Sequence, residues 1–95
     1  MRAFKVTSPA HADQIVFADR AHHAAEMIVT WQMLNGIDAA EFMVDPDWIK
    51  ELPREGRREV NEALRWGRPG IAVKRPDGRW DVREPRDERE DDDTI

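Results

Sequence analysis

Phe4 and Val6 alternate with Lys5 and Thr7. After Ser8-Pro9-Ala10-His11-Ala12, Ile15 and Phe17 stand opposite Gln14, Val16 and Ala18. A period of two marks a strand with one buried face, so this stretch predicts two short strands joined by a proline-containing loop. The period then changes. Ala21, Ala24, Met27, Ile28, Trp31 and Leu34 recur at three- and four-residue spacing, which predicts a helix capped by Asp19 and stopped by Asn35-Gly36. Ala40, Phe42 and Val44 alternate with Glu41, Met43 and Asp45 as a third strand. From there Asp45 caps, and Pro46 opens, a short helix through Leu52, ended by Pro53.

Residues 54 to 66 read as a second main helix that is polar almost all round, with only Val60, Ala63 and Leu64 as an apolar stripe before Gly67. It belongs on the surface. Ile71 and Val73 on one side of Pro76-Asp77-Gly78, and Trp80 and Val82 on the other, predict a closing hairpin, since proline presets φ and glycine accepts φ > 0. The order β-β-α-β-(short α)-α-β-β implies a small single α+β domain over residues 1–84, with an antiparallel or mixed sheet and helices packed on one face. The expected core is Phe4, Val6, Ile15, Phe17, Met27, Ile28, Trp31, Leu34, Phe42, Val44, Val60, Leu64, Ile71, Val73, Trp80 and Val82. Val29 and Met33 fall on the back of the first helix, where a small apolar patch could seat a partner or a second copy of the chain.

Length leaves room for one domain with a thin core. The chain has no cysteine, which removes disulfides, thiolate metal sites and cysteine nucleophiles from consideration. The N-terminal residues lack the apolar run of a secretory signal, and no stretch approaches the roughly 20 apolar residues of a membrane helix. A soluble, cytoplasmic protein away from membranes is expected.

Charge is sorted along the chain. Residues 1–53 hold eight acids and four bases, residues 54–83 nine bases and five acids, and residues 84–95 seven acids and two bases. The first two blocks cancel, so the whole excess of −5 equals the charge of the last. This layout predicts an acidic face, a basic face and an acidic appendage at 85–95 with little to bury and therefore disordered in isolation.

Candidate chemistry is sparse. Ser8, His11 and Asp13 crowd into one loop, where triad geometry is seldom reached and a turn bonded to its own backbone is the simpler reading. His22, His23 and Glu26 are the only cluster of metal-ligand types. Adjacent helical histidines point about 100° apart, so a His-Glu hydrogen bond in the first turn is the simpler reading there. The five glycines never form a phosphate-cradling loop. No catalytic residue, cofactor or metal is expected.

Binding is the remaining class, and two forms of it fit the residues. One is a non-catalytic module that docks by charge on a nucleic-acid-handling protein complex. There Glu41, Asp45, Asp47 and Glu51 would imitate phosphates or meet arginines, and Trp48, or Val29 with Met33, would supply an anchor. In build alone the chain resembles the small inhibitors of phages and mobile elements, anti-CRISPR proteins among them. These share no common fold or motif, so no residue is carried over.

The alternative is a small DNA- or RNA-binding accessory protein. It would use Arg54, Arg57, Arg58, Arg65, Arg75, Arg79 and Trp80, with Trp66 interleaved and the acidic appendage masking the same surface. Glu55, Glu59 and Glu62 stand at helix spacing from those arginines, and their pairing would quench this face.

Overall fold

The structure, a computed structural model, describes residues 1–37 and 40–85. Of the acidic appendage expected at 85–95, residues 86–95 lie outside them. Five strands, β1 (Arg2–Ser8), β2 (His11–Ala18), β3 (Met43–Asp45), β4 (Gly70–Lys74) and β5 (Trp80–Arg83), form one wholly antiparallel sheet in the order β3-β1-β2-β4-β5. Two helices, α1 (Ala21–Leu34) and α2 (Arg54–Trp66), and a 3-10 turn at Trp48–Glu51 complete an α+β domain.

The strand register assigns the faces. Phe4 opposes Val16 and Val6 opposes Val44, so these four share one side of the sheet, where α1 lays Ala24, Met27 and Ile28. Ala3 opposes Phe17 and Ala72 opposes Val82 on the other side. There Val60 of α2 and Trp48 of the 3-10 turn pack, with Leu52, Ala63 and Leu64 partly buried beside them. One helix therefore covers each face, which corrects the expectation that both pack on the same one.

The reason lies in β2. Val16 and Ala18 are apolar on one face and Phe17, with Ile15, on the other, so a strand that reads as half-polar needs cover on both sides. For the same reason Ala3, Val16, Ala18, Ala24 and Ala72 fall outside the expected core, although all are buried. Leu34 and Val73, both expected in the core, are exposed: Leu34 is the last residue of α1, and Val73 stands opposite Asp81 beyond the area α1 covers.

Local chemistry sets the ends of the elements. Between β1 and β2, Ser8 Oγ accepts the Ala10 N–H at 3.1 Å and holds a tight Pro9-Ala10 turn. Asp19 does not cap α1. Arg20 occupies the cap position without a side-chain bond, and the Asp19 carboxylate instead lies 3.7 Å from the N-terminal ammonium of Met1. The third strand is shorter than expected and contains only Met43–Asp45, with Phe42 partly buried just before it. Asp45 Oδ1 accepts the Asp47 N–H at 2.8 Å, so this carboxylate closes a turn, and the chain then makes a single 3-10 turn rather than a helix through Leu52.

The second main helix spans the predicted residues. In the last hairpin Gly78, at φ 86°, donates its N–H to the Arg75 carbonyl at 3.0 Å, and Asp77 Oδ1 accepts the Arg79 N–H. Gly70 opens β4 at φ 155° against the backbone of β5, where a Cβ would stand 2.7 Å from the Arg83 carbonyl. Only glycine fits there.

Candidate nucleic-acid interface

α2 is the most strongly two-sided element of the chain. Val60 sinks into the sheet with Ala63 and Leu64 beside it, which turns the opposite side of the helix to solvent. On that side Arg54, Glu55, Arg57, Arg58, Asn61, Glu62 and Arg65 line an open groove of about 1100 Å³. Their positions recur at three and four residues, so a single stripe along the helix carries four guanidinium groups.

The expected close pairing of these arginines is not seen, although Glu55 and Glu62 share their stripe. Among the described residues no carboxylate lies within 4.0 Å of Arg54, Arg57, Arg58 or Arg65. Glu59, on the inner shoulder of α2, turns instead to Lys74 of β4, with Nζ 2.9 Å from Oε2. That contact ties the helix to the last hairpin. A guanidinium free of an internal partner can meet phosphate oxygens without first breaking an ion pair.

Other candidates separate from this stripe. Arg75 and Arg79 are exposed in the β4–β5 hairpin but do not line the groove. Trp80, expected as a stacking surface, faces inward: its ring centroid lies 6.1 Å from that of Phe17, and its indole Nε1 is buried with no hydrogen-bond partner among the described residues. Trp66 behaves in the opposite way. At 80% exposure it is the most exposed large apolar side chain described, and its offset from the Val60, Ala63 and Leu64 stripe is the sequence signal that singles it out.

No protein-family model, curated protein or solved structure matches this chain.

The acidic candidates do not form one face with an anchor. Trp48 is 7% exposed and donates its indole N–H to the Ala3 carbonyl at 3.1 Å, so it belongs to the protein's own core. Asp45 is half-buried in its turn, and Asp47 lies 3.5 Å from Lys50. Glu51 is exposed. Glu41 borders a separate shallow groove with Pro9, Phe42 and Met43 at the β3 edge of the sheet. Val29 and Met33 are exposed on α1, on the far side of the sheet from the arginines.

The polar clusters with candidate chemistry have other partners. Asp13 pairs with Lys5 at 3.6 Å, and Ser8 bonds within its turn. His11 Nδ1 lies 2.8 Å from the Ala12 carbonyl, which can only accept, so Nδ1 donates and Nε2 receives the amide N–H of buried Gln32 at 3.0 Å. His22 Nε2 meets Glu26 Oε1 at 2.9 Å across one helical turn. Among the described residues no three His, Asp or Glu side chains converge as metal ligands, and no helix is long and apolar enough to cross a membrane.

Proposed function

We propose that this protein is a non-catalytic nucleic-acid-binding accessory protein whose contact surface is the outer stripe of α2. The observation that carries this reading is the set of four arginines without carboxylate partners along one groove. Helix spacing gives the groove a row of guanidinium groups, each able to form paired hydrogen bonds to phosphate oxygens. No base-reading motif accompanies them, so the affinity is electrostatic, insensitive to sequence and steeply salt-dependent. The acidic residues 86–95 act in this reading as a competitor for the same cations, lowering affinity at low salt.

A mobility-shift titration with a short oligonucleotide at low salt tests the reading. Binding should be measurable in about 50 mM salt, weaken steeply by about 200 mM and fall in the double variant Arg57→Gln, Arg58→Gln. Absence of binding at low salt by the full chain and by a chain lacking residues 86–95 would exclude it.

A second reading, docking on a partner protein, is supported by a different observation: Met33 and Met43 are exposed at 72% and 74%, on α1 and on edge strand β3. The inhibitor role belongs to this second reading. It loses Trp48 as an anchor, and it would be favoured if affinity capture recovered one protein on wild-type chain but not on Met33→Lys or Met43→Lys chain.

A further inference from the structure

We infer that the α2 surface takes single-stranded nucleic acid and that Trp66 is the residue that selects it, by stacking on an unpaired base. The inference rests on the nucleic-acid reading above and adds the class of ligand to it. Trp66 closes α2 directly after Arg65 and one turn beyond Glu62, both of which border the arginine groove. Trp66 itself does not line the groove, and adjacent helical positions point about 100° apart, so a strand whose phosphates follow Arg54, Arg58 and Arg65 reaches the indole by turning across the C-terminal end of α2. At 80% exposure almost the whole ring is open to solvent, although an indole buries readily and the adjoining apolar residues Ala63 and Leu64 are packed inward.

In a duplex the bases are stacked on one another and show only their edges, which offer nothing to an aromatic face. In a single strand each base has a free π-face, and a tryptophan beside a cationic track is the arrangement that captures it without reading sequence. The other tryptophans cannot serve. Trp48 is in the core, Trp80 packs on Phe17, and Trp31 packs against the α1 core with the His11 ring edge-on at 4.9 Å.

The test titrates the full chain at low salt with a twelve-nucleotide oligothymidylate, the matching oligouridylate and a duplex of the same length. Affinity should be higher for both single strands than for the duplex. Trp66→Ala should weaken single-strand binding about tenfold, while Trp66→Phe, which keeps an aromatic face, should recover most of it. Wild-type tryptophan emission should be quenched by the oligothymidylate, and that quenching should vanish in Trp66→Phe.

If the arginine variants lose binding while Trp66→Ala binds single strands like wild type, the inference falls and the nucleic-acid reading stands. If neither the wild-type chain nor the chain lacking residues 86–95 binds either form at low salt, both fall.

Discussion

Trp48 and Ala3, 45 residues apart in sequence, are joined by a buried hydrogen bond of 3.1 Å from the indole N–H to a backbone carbonyl of β1. The bond fixes the 3-10 turn against the sheet, in the cluster that also holds Val60 and Phe17. Trp48→Ala should cost about 3–5 kcal/mol in urea unfolding, as removal of a large core aromatic does. Trp48→Phe keeps most of the volume but leaves the Ala3 carbonyl without its indole donor, and should cost about 1–3 kcal/mol.

His11 and Gln32 bridge β2 and α1 near the C-terminal end of the helix, where Gln32 is buried. A double-mutant cycle with His11→Ala and Gln32→Ala should return a coupling of about 0.5–1.5 kcal/mol by denaturant unfolding. A coupling near zero would mean that the pair does not form in solution.

Gly70 is the position least tolerant of a side chain. Gly70→Ala combines positive φ with a backbone 2.7 Å away, and should lower stability by about 2 kcal/mol or more and loosen the β4–β5 pairing. Amide exchange of the β5 residues reads that loosening directly.

Releasing Lys74 should strengthen polyanion binding. Glu59→Gln removes the acid that pairs across from α2, and because the pair is solvent-accessible the stability change should stay below about 1 kcal/mol. Oligonucleotide affinity at low salt should rise. The opposite variant, Arg58→Gln, should lower affinity alike for every sequence and reduce the slope of log K against log salt by about 0.7 on a single strand.

Deletion of residues 86–95 removes six acids and two bases. Affinity at about 50 mM salt should increase, and the difference between full and shortened chains should shrink as salt screens the charges over about 10 Å at 0.1 M. An equal gain at all salt concentrations would point away from charge competition.

Much of this fold is legible in the chain because its strongest signals are local. The 3.6 period from Ala21 to Leu34, the proline and Gly67 bracketing α2, and the Pro76-Asp77-Gly78 turn each fix an element within a few residues. The sidedness of the sheet is hidden. Alanine carries little weight in an alternating pattern, so Ala3, Ala18 and Ala72 do not advertise the close approach of helix to strand. The site is half legible for a related reason. Spacing groups Arg54, Arg57, Arg58 and Arg65, but that Glu59 turns away from them depends on Lys74, a strand partner that no local pattern reveals. The two tryptophans of the basic segment exchange roles: Trp80 alternates toward Phe17 and is claimed by packing, while Trp66 lies off its helix's apolar stripe and is left outside.

Because the sheet stands between α1 and α2, the two helices are insulated from each other and changes on one should add to changes on the other without cross-talk. A dye, an affinity handle or a fused domain attached at Val29 or Met33 would leave the arginine groove unobstructed, so the molecule can be immobilised by one side and interrogated on the other.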